Sequence, residues 1–283
     1  MEKAIRRWAP LFFIPTLAAF LIGFVVPFLE GVYLSFCQFT TLGNAHFIGL
    51  GNFQKALQDP NFGHAFWFTA AFALVSIILI NGIAFALALL LTRGLKGTNV
   101  FRTVFFMPNL IGGIVLGYIW NILINAVLSA VGAPLLRLNS KAGFWGLIFL
   151  MCWQQIGYMM IIYIAGLQNI PGDLIEAAEI DGASSWTILR KIKLPMVMPS
   201  ITICVFLTLT NGFKLFDQNL ALTAGDPLKS TEMLALNIYN TFYGRTGPQW
   251  MGIGQAKAVL FCILVIALSM LQLHATRSKE VQQ

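Results

Sequence analysis

Six windows of this 283-residue chain contain no Asp, Glu, Lys or Arg: 8–29, 60–91, 103–136, 142–172, 194–213 and 258–276. Each is near or above the roughly 18–20 residues that a helix needs to cross a bilayer. Backbone amides in lipid have no water to bond, so segments of this length satisfy themselves as helices. The composition agrees: 10% of residues are charged and mean hydropathy is +0.77, against about 25% charged in a soluble domain. The expected fold is all-α, a polytopic membrane protein treated as one domain over 1–283. Its spans are expected at about 11–36, 65–91, 103–128, 144–167, 198–222 and 253–274.

The net charge of +7 raises the question of nucleic acid, and its distribution answers it. With the N-terminus inside, eleven basic residues fall on inside segments: Lys3, Arg6, Arg7, Arg93, Lys96, Arg102, Arg190, Lys191, Lys193, Arg277 and Lys279. Five fall outside (Lys55, Arg137, Lys141, Lys229 and Arg245), and Lys214 and Lys257 lie at or near spans. This follows the positive-inside rule, places both termini in the cytoplasm and needs no nucleic-acid partner. The first apolar segment follows basic residues, as in a signal peptide. It runs on past Pro27 without a small-residue cleavage site, so it is read as an uncleaved span.

Chemistry-bearing motifs are sparse. There is no GxxxxGK[ST] loop to hold ATP, no HExxH, no GxSxG and no paired carboxylates in or near the spans. His46, His64 and His274 are scattered, and Cys37, Cys152, Cys204 and Cys262 lack metal-ligand spacing and read as small buried apolar residues. Enzymatic activity and a cofactor bound by this chain are not expected. Gly113 and Gly117 have the small-xxx-small spacing that lets helices approach closely.

One charged, helix-forming insert breaks the pattern. The segment 169–197, containing "IPGDLIEAAEIDGASSWTILRKIKLP", reads as two short helices and a turn on the inside face. Asp173 is placed to cap the first helix, over 174–180, and Glu176 and Glu179 favour its dipole. Gly182 suits a left-handed exit. Ser184 or Ser185 can cap the second helix, on which Ile188 and Ile192 form an apolar stripe and which Pro195 is expected to close. Physics alone fits two roles equally: an amphipathic loop lying on the membrane face, or a docking site for a soluble partner.

The stretch resembles the EAA loop of binding-protein-dependent ABC importer permeases: EAA, three residues, Gly, nine residues, Ile-x-Leu-Pro. Glu176, Ala177, Ala178, Gly182, Ile192, Leu194 and Pro195 meet every spacing. "GLGNFQKALQDPNF", "FRTVFFMPN", "GLQNIPGDLIEAA" and "LTAGDP" are similar to the carbohydrate-uptake branch, related to the larger permease of the maltose transporter. The resemblance implies a bacterial plasma-membrane permease that is not itself an enzyme. Its coupling loop would transmit ATPase motion to the spans. It also implies the partners: two cytoplasmic ATPase copies carrying ATP and Mg, a second permease, an extracytoplasmic solute-binding protein, a sugar substrate and membrane lipid. The alternatives are a glycerol phosphate or glycerophosphodiester as ligand, or an ion-coupled secondary transporter. The last would have no use for an ATPase-docking loop and normally carries internal repeats.

Polar residues within spans usually face a partner helix or a cavity. Gln218 adjoins the polar directions of the fifth span, and Asp217 lies one turn from Lys214. Gln154, Gln155 and Tyr158 can share a face of the fourth span, and Thr208, Asn211 and Lys214 cover adjoining directions of the fifth. These six are the expected substrate contacts. Tyr158 is the clearest match to the sugar-binding part of the maltose permease. Thr208 keeps a hydroxyl there, whereas Gly212 and Leu215 depart from it. Lys214 and Asp217, three apart, could instead neutralise each other on one helix. Tyr118, Asn121 and Asn125 share a face suited to helix packing.

Overall fold

The computed structural model describes residue 11 and residues 13–94 and 96–277; the expected inside charges Lys3, Arg6, Arg7 and Lys279 lie outside these. The fold is all-α and polytopic. Five helices are long and apolar enough to span, or six if a helix pair bent by 68° counts as one span. The chain divides into two compact units, Met1–Pro60 with Ile238–Cys262, and Asn61–Asn237 with Ile263–Gln283.

In the first unit, α1 (Phe13–Ser35) is apolar and exposed along its length, as a lipid-facing helix is. Phe20, Phe24 and Phe28 stack at 5.3 and 6.2 Å between centroids, the i,i+4 spacing of one helical face. Past its end, Asn52 of α2 (Gly51–Gln58) donates to the carbonyls of Ser35 (3.0 Å) and Cys37 (2.8 Å). Two short strands, β1 (Cys37–Gln38) and β2 (His46–Phe47), pair antiparallel beside it. Lys257 is fully buried in this unit and donates to Asp59 at 2.8 Å and to Thr241 at 2.9 Å. Arg245 lies 3.8 Å from the same carboxylate and 4.3 Å over the Trp250 ring. A buried ammonium requires such partners.

The second unit is built on α6 (Ser140–Gln168), which supplies Leu147, Leu150, Met151, Met159, Met160 and Tyr163 to the core. Around it lie α3 (Pro60–Leu91), α4 (Thr98–Phe106) and α5 (Gly113–Ala130). Tyr163 donates to Asn81 Oδ1 (2.8 Å), and Asn81 Nδ2 donates to Thr208 Oγ1 (3.2 Å), tying α6, α3 and α9 (Met198–Phe213) together. α11 (Leu234–Phe242) and α12 (Pro248–Arg277) each run across the boundary between the units.

Two expected spans are interrupted, which corrects the reading of them as continuous helices. The third begins as α4 and breaks at 107–112, because Pro108 supplies no amide hydrogen and Ile111 is extended (φ −89°, ψ 132°); α5 resumes at Gly113. The fifth stops at Phe213, runs irregularly through 214–216 and restarts as the six-residue α10 (Asp217–Leu222). The second span starts at Pro60, five residues earlier than expected. α10 packs along α5: a Cβ on Gly113 would lie 2.8 Å from Asp217 Cβ, and one on Gly117 would lie 2.5 Å from Ala221 Cβ. The small-residue spacing is therefore used, against a helix too short to identify from hydropathy.

Candidate functional sites: a coupling loop and a broken-helix cavity

Both candidate sites lie in the second unit. The charged insert forms α7 (Gly172–Ile180), a turn, and α8 (Ser185–Met196), whose turns widen to a π-helix over Leu189–Lys193. Gly182 leaves α7 at φ +76°, a conformation that other residues resist. Ser184 caps α8 by accepting from the Thr187 amide at 3.3 Å. Asp173 makes no capping bond: α7 starts earlier, after Pro171, and Asp173 sits within its first turn, where its charge still favours the dipole. Pro195 does not close α8. Having no amide hydrogen for an α ladder, it is accommodated by the wider turns before it, and the break comes at Val197 with a 68° bend into α9.

The loop is mounted on one side and open on the other. Ile188 is buried, and Ile175 and Ile192 pack against the core of the unit. Glu176, Ala177, Glu179 and Gly182 are exposed, and Ala178 is half-buried. Of the seven motif residues, Ile192, Leu194 and Pro195 thus lie half-buried towards the mount. Glu176, Ala177 and Gly182 lie on the open side.

The second site is a cavity of about 260 Å³ at the break between α9 and α10. Gln155, Asn211, Lys214, Asp217 and Gln218 give it polar groups, and Met151, Leu215 and Phe216 give it apolar ones. Non-helical backbone at membrane depth is tolerated where it is buried in protein or lines such a space. Asn211 donates to Gln155 at 3.4 Å, and Gln218 donates to Gln154 at 2.7 Å, while Gln154 donates to the Ile111 carbonyl at 3.2 Å. Buried Gln154 thereby joins the breaks of the third and fifth spans.

Three of the six expected contacts, Gln155, Asn211 and Lys214, line the cavity, and Gln154 braces its wall. Tyr158 and Thr208 do not line it. The Tyr158 ring faces Phe106 at 6.4 Å, and Thr208 is buried in the Asn81–Tyr163 network, donating to the Cys204 carbonyl at 2.8 Å. Asn121 and Asn125 pack as expected, donating to the Leu222 carbonyl (2.5 Å) and to Asn121 Oδ1 (3.2 Å), whereas Tyr118 is exposed. Met151 and Phe216 are not among the expected lining residues, and Gln218 and Asp217 are named on the fifth span but not counted among the six contacts. The signal was the charge pair at 214 and 217, which a continuous helix would have brought together. Among the described residues no ion pair or hydrogen bond joins the Lys214 and Asp217 side chains to any partner.

Comparison with known proteins fits this architecture. The sequence model of the family described as "Binding-protein-dependent transport system inner membrane component" matches residues 80–279. The probable starch degradation products transport system permease protein AmyD of Thermoanaerobacterium thermosulfurigenes is 43% identical, with 97% of this chain and 96% of that protein aligned. The multiple sugar-binding transport system permease protein MsmF of Streptococcus mutans is 32% identical over 98% of this chain and 97% of its own. Among solved structures, a chain of a bacterial ABC transporter involved in the import of the acidic polysaccharide alginate superposes with a TM-score of 0.82. It covers 98% of both chains at 21% identity, a likeness of fold.

Proposed function

The chain belongs to the family of binding-protein-dependent transport system inner membrane components, and from that premise we propose that it is the permease subunit of an ATP-driven sugar or oligosaccharide importer. The observation that carries the reading is the coupling loop. A helix bearing Glu176, Ala177 and Ala178 stands open to a partner, while Ile175 on the same helix and Ile192 on α8 pack against the core of the second unit. Ile175, Ile188 and Ile192 turn inward, while Leu174, Ile180 and Trp186 stand exposed beside Glu176 and Ala177, as a surface that receives a partner protein would. In this reading two cytoplasmic ATPase copies bind ATP and Mg and dock on Glu176, Ala177, Ala178 and Gly182. Ile192, Leu194 and Pro195 pass their motion to α9.

The rest of the assembly follows from the same reading. Residues 1–283 form one permease domain in the bacterial plasma membrane, surrounded by lipid, with both termini cytoplasmic. A second permease completes the pathway, and an extracytoplasmic binding protein delivers the ligand. The sugar is supported by the kinds of relatives found and by the cavity, where Gln155 and Asn211 offer donors and acceptors suited to hydroxyls. Tyr158 and Thr208 are then part of its frame. Lys214 favours the second reading, a glycerol phosphate or glycerophosphodiester ligand.

Ligand-stimulated ATP hydrolysis by the reconstituted complex, with a panel of sugars and glycerol phosphates, tests the reading. Stimulation by a sugar supports it; stimulation by a phosphorylated ligand alone replaces it with the second. Glu176→Lys and Gly182→Asp are expected to abolish uptake while the chain still inserts. Normal uptake by both would remove the coupling role.

A further inference from the structure

The break between α9 and α10 leaves two opposite charges facing one cavity without neutralising each other. In a continuous helix Lys214 and Asp217 would be neighbours at i,i+3. Here Lys214 caps the end of α9 (φ −83°, ψ 2°), Asp217 opens α10, and no ion pair joins them among the described residues. Charges left unpaired beside a spanning helix and facing a cavity are placed where a ligand can use them.

The other walls restrict what can enter. Gln218 and Gln154 are committed to each other, and Gln155 and Asn211 share one bond and keep free amide valences. The ligand thus meets donors on Lys214, Gln155 and Asn211, and an acceptor-only carboxylate on Asp217. A phosphate or carboxylate group, which only accepts, would bond Lys214 and be repelled by Asp217. A sugar hydroxyl both donates and accepts, so neighbouring hydroxyls can satisfy both charges. At about 260 Å³ the space is smaller than the roughly 300–1,000 Å³ of drug-sized sites, and suits one sugar ring at a time.

We infer that Asp217 is a substrate-binding residue and the charge filter of this cavity: its carboxylate accepts from sugar hydroxyls and excludes anionic ligands, setting the substrate class as neutral and hydroxyl-rich. This rests on the sugar-importer reading above. The test is uptake into proteoliposomes holding the complete complex and its binding protein. The probes are maltotriose, the aldonic acid made by oxidising its reducing end to a carboxylate, and glycerol 3-phosphate. The same binding protein loads every probe, so a change in the ratio of maltotriose to aldonic acid between variants reports the permease. That ratio also does not depend on how much complex assembles.

Wild type is expected to favour maltotriose. Asp217→Asn should lower the ratio about tenfold, the scale of one charge contact in a partly wetted site, and Asp217→Glu should keep it within about twofold of wild type. Lys214→Gln, which removes the opposing charge, should raise the ratio. A ratio left unchanged by Asp217→Asn overturns the filter while the sugar reading stands. If Asp217→Asn yields no complex, an unchanged ratio in Lys214→Gln overturns it in the same way. Wild-type uptake of glycerol 3-phosphate with none of maltotriose overturns the sugar reading and the filter together.

Discussion

Two lysines interrupt the charge-poor helical sequence, and the structure treats them oppositely. Lys257 is fully buried, bonded to Asp59 and Thr241, with Arg245 beside the same carboxylate. Lys214 is exposed, lines a cavity and has no bonded partner among the described residues. In sequence both are single cations beside long apolar stretches. The difference lies in what the fold brings to them: a carboxylate 198 residues away in one case, and an open space in the other. A buried charge with its partners is a structural commitment; one held apart from the nearest opposite charge is available to a ligand.

The largest loss is expected at Asp59, the partner of the buried lysine. Asp59→Ala leaves the Lys257 ammonium buried without its carboxylate, an effect of about 3–5 kcal/mol in other proteins. A large fall in the melting temperature of the purified complex is expected; a melting point equal to wild type would show that the lysine finds water or another acceptor. Next comes the frame of the cavity. Gln154→Ala orphans the Gln218 amide and frees the Ile111 carbonyl, and should destabilise by about 1–3 kcal/mol, read from the same melting curves.

Arg245→Ala sharpens the contrast, because this cation is a quarter exposed at 3.8 Å from Asp59 and also covers Trp250. Its loss should cost about 0–1 kcal/mol, visible as a small shift in melting and a change in Trp250 fluorescence. Lys214→Met is expected to have the smallest effect on stability, within about 0.5 kcal/mol, yet to change ligand-stimulated ATP hydrolysis. Destabilisation as large as that of Asp59→Ala would make Lys214 another structural charge.

Features set by local chemistry were legible in the sequence. The charge-free windows identified apolar helices because lipid leaves the backbone little choice. The Gly182 turn and the Ser184 cap followed from residue types that satisfy neighbouring backbone atoms. Helix continuity was not legible. Pro108 and the Gly112–Gly113 pair marked the break in the third span, but hydropathy averaged across them. The break at 214–216 has no proline at all, and depends on packing of α10 against Gly113 and Gly117. That one misjudged continuity hid the break from which the cavity is made. It placed Asp217 on the same helical face as Lys214, as its neutralising neighbour, when the chain turns between them. Thr208 shows the converse: a polar residue expected at the ligand, whose hydroxyl accepts from Asn81 and donates to the Cys204 carbonyl.

The bend at Val197 gives the second unit the geometry of a bell crank. One arm is α8, carrying the open loop; the other is α9, whose sixteen residues make a rod of about 24 Å. The rod's far end is the rim of the cavity. A tilt of about 5° at the elbow would swing that rim by roughly 2 Å over such a rod, comparable to the difference between a hydrogen bond made and one broken. The lever would need no relay through intervening side chains, because crank and rim are consecutive stretches of the same backbone.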